Sequence, residues 1–581
     1  MTTARTVGGL IYLETMEEMD RELTEVIEDF ERAVNVEALR LAKETGRAHS
    51  LCLAIAYFQW LFAEQRLLLG RLKYVEAGYH RDLRCMEGTR KSLLKEIIGW
   101  VTNKSEQKDV LQGNIYWLYG FPGIGKTSLA HSICAKLHDQ RQLAGSFFCR
   151  RDDADLSVPR NILPTLINKL AVIFPLFRSV VANRLRNDPN LTPQSMEESI
   201  FLDFIRSVPR HPKQTLVFVI DALDECGDDQ SRSHILNVLN DAAAQAPWLR
   251  IIITSRPEAD IQRFFDSLAQ SSNFRCDLAA DEEASSDLRT FAKSQFDLIA
   301  SKWYLPTPWP EESLINEVIT RANGLFIFVK TLVLVLKECD DPEKSLKAAL
   351  QGSVGPGLNS AYGLYSSILR SRKVPVNAEF KRMIGVLLAT APYRPLCEDT
   401  IAKLAGIRLG LVKKWMDDLS SLLYRDEGAN GGIRVRHLSI SEFFVSDGHP
   451  SEYQINLRDA NVHLGIACLE TMLGQLRFNI CKLEDSRLAN ADIADLPSRI
   501  KESISDPLQY SSLHWSKHLC LTPHDITGDW RVWGTLKAFF EGLYPLFWLE
   551  VLSILGMVPI GAPSLRGVIS WVMVSAAPDY H

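Results

Sequence analysis

Residues 115–137 read "IYWLYGFPGIGKTSLAHSICAKL", and this stretch restricts the fold more than any other. Five apolar, strand-forming residues run into a glycine-rich turn, and a helix-forming segment leaves it. Gly120, Gly125, Lys126 and Thr127 satisfy the pattern GxxxxGK[ST]. Each residue type has a chemical reason. Gly120, Gly123 and Gly125 let consecutive backbone N–H groups close on an anion without Cβ clashes. Lys126 reaches terminal phosphates, and the Thr127 hydroxyl is a Mg²⁺ ligand. The amides at the helix start, Ser128 included, add the positive end of the helix dipole. A strand directly before the loop and a helix directly after it are what this motif requires.

A second stretch, "LVFVIDALDEC", supplies the other half of such a site. A buried strand delivers Asp221 at its C-terminal end, where ligands bind in α/β sheets. A carboxylate there can hold the same Mg²⁺. Asp224 and Glu225 follow on the next turn, as candidates to orient or deprotonate an attacking water. In "RIIITSR", Thr254 and Arg256 end a neighbouring strand. Arg256 reads either as a γ-phosphate contact or as a surface cation.

Short apolar runs, "IYWLY", "GSFFC", "LVFVI", "RIIIT" and "FRCDL", alternate with helical stretches. That alternation predicts a parallel sheet covered by helices on both faces. After about residue 280 the strands stop. Three helical segments followed by "LYRDEGANGGIRVR", a hairpin pattern around "NGG", have the layout of a winged helix. Residues 9–80 read as helix, with an apolar seam from Tyr12 to Ala33. The expected division is an all-α N-terminal region over 1–80, an α/β nucleotide-binding domain over 81–280 and a helical domain over 281–372. A winged helix over 373–447, a C-terminal helical domain over 448–555 and a tail over 556–581 complete it.

The net charge of −6 argues against a general nucleic-acid coat. Eleven cysteines form no CxxC pair and no zinc-type cluster, so reduced thiols in a cytoplasmic protein are expected. The first residues lack the apolar core of a signal peptide. The run from Val551 to Leu565 is free of charge but shorter than the roughly 18–20 residues that span a bilayer. No membrane span is expected. A buried helix followed by a frayed tail is the reading of this end.

The chain resembles the NACHT proteins, signal-transduction P-loop NTPases that include the NOD-like receptors. "YGFPGIGKTSLA", "FVIDALDEC" and "IIITSRPE" stand in the family's order and spacing. "CMEGTRKSLLKEIIGWV" and "TRANGLFIFVKTL" are similar to segments of the large fungal set. Phe326 stands where related NTPases place the proline of their "GLP" turn. "VRHLSISEFF" is similar to the family's segment closing the winged helix, and His437 occupies the place of its histidine. The resemblance implies a switch. ADP holds a closed monomer with that histidine on the β-phosphate, and exchange for ATP opens it into an oligomer. Self-association on activation and protein partners at the N-terminal helices are therefore expected. Read without the resemblance, His437 is a residue satisfying a backbone carbonyl at the hairpin end.

The small residue Ala222, directly after Asp221, replaces the glutamate of many fast ATPases and favours slow hydrolysis. The expected cofactors are ATP or ADP with Mg²⁺, with GTP left open by the fold. The guanine-reading NKxD pattern is missing: "INKL" at Lys169 lacks the aspartate. Two alternatives stand beside the switch. One is a non-hydrolysing nucleotide-binding scaffold. The other is a winged-helix DNA-binding regulator, disfavoured because Lys413 and Lys414 lie beside Asp417 and Asp418.

Overall fold

Five parallel strands form the first sheet: β1 (Ile115–Tyr119), β2 (Leu143–Phe148), β3 (Leu216–Asp221), β4 (Leu249–Ser255) and β5 (Phe274–Asp277). Their order across the sheet is β2-β3-β4-β1-β5. The chain leaves β1 toward the β2 edge and leaves β4 toward β5. The connections therefore diverge between β1 and β4, and the crevice at the carboxyl ends of those strands is where this topology binds ligands. The computed structural model describes residues 64–575, apart from 66, 73, 103–113, 189–197, 208–214, 269–273, 282, 353–357, 427–430, 447–450, 485–487 and 523–529.

The strands are near-continuous apolar runs because both faces are covered. Trp117 points to one face, stacking on Phe265 at 4.6 Å, and its indole N–H donates to Ser255 Oγ. Tyr116 points to the other face, where it packs edge-on against Trp100 of the helix Lys91–Thr102. The helix Lys126–Asp139 lies against the strands and buries Leu129, Ile133 and Leu137. The helix Asp229–Gln245 starts with a capping box, in which Asp228 and Ser231 satisfy each other's backbone N–H groups.

The expected N-terminal helix falls mostly outside the described residues. Where it enters them it departs from expectation. Residues 67–70 are helical, but 74–80 are not. That segment lies on the first unit instead: Val75 N–H donates to Thr165 Oγ1 and His80 N–H to His131 Nδ1. Side chains from distant elements satisfy these amides in place of a helical ladder.

The chain divides into two compact units, one ending at Val329 and one starting at Lys330. The second unit contains the helices Ala378–Thr390, Glu398–Ala405 and Leu409–Asp418, then an antiparallel pair, β6 (Leu423–Arg425) and β7 (Ile433–Val435). The helix Leu438–Val445 follows directly. Beyond it, long helices such as Leu457–Gln475 and Asp506–Cys520 pack on each other. The end of the chain differs from the frayed tail expected. Residues 561–575 form a helix, which buries Val568 and Trp571 and donates the Trp571 N–H to Thr522 O. Its large apolar residues provide enough buried surface to hold a helix that also exposes Met573 and Val574. Among the described residues no helix is long and apolar enough to cross a membrane.

Candidate nucleotide site

The loop Gly120–Gly125 joins β1 to the helix Lys126–Asp139. Gly123 and Gly125 take φ values of +84° and +98°, the left-handed region that side chains disfavour. Gly125 is the N-cap, so the helix begins at Lys126 with its amides toward the loop. Lys126 Nζ donates to the carbonyls of Gly120 (2.8 Å) and Phe121 (3.1 Å). Burial lowers its pKa, and the charges of Asp224, Asp221 and Glu225 oppose that shift.

Asp221 ends β3 and is almost wholly buried. The Thr254 hydroxyl, from the end of β4, donates to its carboxylate and accepts from Ala222 N–H at 2.9 Å. Burial raises the Asp221 pKa to about 6, against hydrogen bonds from Thr254 and Thr127 and the charge of Lys126. The sequence distance from Thr127 to Asp221 is thus closed by the fold. A hydroxyl and a carboxylate, both oxygen donors, suit Mg²⁺. Thr127 and Asp221 are the residues that would hold it, and it would supply charge neutralisation at the phosphates.

Ala222 has φ +54°, a left-handed conformation that turns the chain sharply after Asp221. The 3₁₀ turn Leu223–Glu225 follows. Here the two acidic candidates separate. The Asp224 carboxylate is buried and engaged by Arg256 twice, through its amide (3.0 Å) and its Nε (3.2 Å). Arg256 is held inward, with its side chain 18% exposed, rather than spread on the surface. Glu225 instead accepts one amide, that of Arg151, at 3.3 Å. Burial and the neighbouring Asp224 charge raise its pKa to about 7.

His437 lies in the second unit, as the N-cap of the helix Leu438–Val445. Its Nδ1 accepts from Ser439 N–H at 3.1 Å and lies 2.8 Å from Ser439 Oγ, which also meets the Tyr365 hydroxyl. The ring is therefore an acceptor at Nδ1. An Nδ1 that accepts from an amide places the ring proton of the neutral form on Nε2.

One residue emerges that motif reading passed over. Arg90 is buried at φ +55°. Its guanidinium donates to Ile124 O in the phosphate loop (3.1 Å), pairs with Asp281 and lies 5.5 Å from the Phe326 ring. Its own amide donates to Asp287. The "GTR" stretch marks the position, but nothing local in sequence indicates a partner 34 residues away. Phe326 also approaches the loop, since a Cβ on Gly125 would meet its ring at 3.9 Å, and Ile327 N–H donates to Gly123 O.

Residues 96–256 match the family model described as Nephrocystin 3, N-terminal. That span runs from the helix before the phosphate loop to Arg256. The fold is that of a P-loop NTPase. Among solved structures, the Walker-type ATPase PABY2304 of Pyrococcus abyssi is similar at 15% identity and a TM-score of 0.30, over 61% of this chain and 95% of that one. The Aeropyrum pernix ORC2 protein is similar at 11% identity and a TM-score of 0.28, over 66% and 95%. CDC6P from Pyrobaculum aerophilum is similar at 12% identity and a TM-score of 0.27, over 64% and 97%. No curated protein sequence matches this chain.

Proposed function

We propose that this chain is a nucleotide-dependent switch of the NOD-like receptor type, which binds ATP or ADP with Mg²⁺, hydrolyses ATP slowly and self-associates on exchange. The observation that carries this reading is the arrangement after β3. Lys126, Thr127 and Asp221 converge, which suits the phosphate and metal roles proposed for them, while the base position next to Asp221 is taken by Ala222. Glu225, one 3₁₀ turn further on, is the carboxylate left to accept the water's proton. A base set back by a turn gives slow turnover and long-lived nucleotide states. Such states are what a switch needs, provided that ATP and ADP make different contacts.

Arg256 is the group proposed to read the γ-phosphate, exchanging its pairing with Asp224 for the ligand. The division at residues 80, 280, 372, 447 and 555, with the three helices and β6–β7 as a winged helix, belongs to the same reading. So does His437, whose Nε2–H is proposed to donate to the β-phosphate in the ADP state, a bond worth about 1.5–3 kcal/mol.

The test is to denature purified protein and identify the nucleotide released, then to measure mass before and after exchange into ATP. ADP in the resting monomer and a larger assembly with ATP are expected. Lys126→Ala removes a charge-assisted phosphate contact, and affinity should fall by on the order of 10–100-fold. Equal nucleotide content in Lys126→Ala and wild type would sink the site, and an unchanged mass in ATP would sink the switch.

A further inference from the structure

The loop after β2 is docked on the acidic turn at several points. Cys149 N–H donates to Asp221 O at 3.0 Å, and Gly227 N–H donates to Ser157 O at 2.9 Å. The Cys149 and Cys226 thiols face each other. Pro159 packs so closely on Gly227 that a Cβ there would stand 2.3 Å from its ring. These contacts fix the two ends of the turn, Asp221 and Gly227. Between them lies Arg151. Its amide donates to Glu225 Oε2 at 3.3 Å, and its guanidinium donates to the Asp224 carbonyl at 3.4 Å.

We infer that Arg151 is a positioning residue for Glu225, holding the 3₁₀ turn and the carboxylate in the geometry that takes a proton from the attacking water. This rests on the reading of Glu225 as the base. The physical case is one of charge and geometry together. Asp224 follows Arg256 inward, while the charge on Asp224 and on Asp221 repels Glu225. Arg151 opposes that repulsion and ties the turn's backbone to a loop that is itself anchored at both ends. Its guanidinium donates to a carbonyl of the turn, which ties it to Glu225, and ADP affinity distinguishes that role from a contact with the nucleotide.

A double-mutant cycle on the full chain, read by single-turnover ATP hydrolysis and by ADP affinity, tests this. Arg151→Ala should slow hydrolysis by about 10–100-fold, the scale of a misplaced reacting group, with ADP affinity unchanged. Arg151→Lys, which keeps the charge, should recover part of the rate. In a Glu225→Gln background, Arg151→Ala should cost nothing more. Additive losses, or ADP affinity that falls with the rate, would overturn the inference while leaving Glu225 as the base. Wild-type turnover in Glu225→Gln would remove the base reading, and this inference with it.

Discussion

At the scale of single residues, the site is decided by backbone positions as much as by charged groups. Gly227 is the sharpest case. It has φ +64°, and a Cβ would stand 2.3 Å from Pro159 Cγ and 2.5 Å from Ser231 Oγ. Both the left-handed conformation and the overlap penalise any side chain. Gly227→Ala should destabilise the protein by roughly 2–4 kcal/mol and slow hydrolysis, because the turn bearing Glu225 must shift. Gly99→Ala is the control: Gly99 lies in the helix Lys91–Thr102 and a Cβ there meets nothing within 4 Å, so it should melt at or slightly above wild type. Similar melting curves for Gly227→Ala and Gly99→Ala would show that the turn yields without cost. The same scale explains what could be read in advance. Lys126, Thr127 and Asp221 were legible because each motif carries its chemistry within a few residues. Arg90 and Arg151 were not, since their partners lie 34 and 74 residues away. The paired acids "DE" gave two equal candidates, and the positions of Arg256 and Arg151 distinguish them.

At the scale of elements, the alternation of apolar runs and helical stretches marked every strand of the first sheet, because burial on both faces makes β1 and β3 near-continuous apolar runs, while β5, at the sheet edge, carries Arg275 and Asp277. The ends of the chain were less legible. The residues near Val75 were assigned to a helix by their apolar content, yet that content is buried against the first unit's core without helical structure. Residues 561–575 failed in the opposite sense, because Gly561, Pro563 and Gly567 suggest a frayed end while buried Trp571 and Val568 hold a helix. The helix Leu438–Val445 gives a prediction of its own. His437 serves it as N-cap, a role that Asn fills well. His437→Ala should cost about 1 kcal/mol of stability, and His437→Asn should restore most of it. Neither variant supplies Nε2–H, so both should release ADP faster under the proposed sensor role. Thermal melts with ADP off-rates separate the two functions. Wild-type ADP release by both variants would leave His437 as a cap alone.

At the scale of the whole molecule, acid should act with opposite sign on the buried histidines of the second unit and on Glu225 of the first. In the second unit, His518 is fully buried, donating from Nδ1 to Asn461 Oδ1 and accepting at Nε2 from the Tyr510 hydroxyl. His514 stacks on Tyr393 at 4.9 Å, and its Nδ1 is buried without a hydrogen-bond partner. Burial, reinforced by the charge of Lys517, holds each ring at a pKa of about 3, against 6.5 ordinarily. These are bases kept neutral by the fold. Their contribution to stability is complete above pH 6.5 and is lost as the pH falls toward about 3. At pH 5, proton uptake by the unfolded chain costs at most about 2 kcal/mol for each ring. Glu225 in the first unit runs the other way. Its pKa is raised from 4.5 to about 7, so the stability it contributes is present below pH 4.5 and is lost as the pH rises through 7. A signal from the whole chain therefore sums opposing slopes, whereas the helix Asp506–Cys520, which carries both histidines, reports on the second unit. Urea unfolding followed by hydrogen–deuterium exchange of that helix should give a lower midpoint at pH 5 than at pH 7. His514→Phe keeps the stack on Tyr393, removes one titrating ring and removes the unpartnered nitrogen. It should shrink the loss between pH 7 and pH 5 by up to about 2 kcal/mol. An identical loss in His514→Phe and wild type would mean that this ring is not held neutral by burial, and that the acid sensitivity of the second unit arises elsewhere.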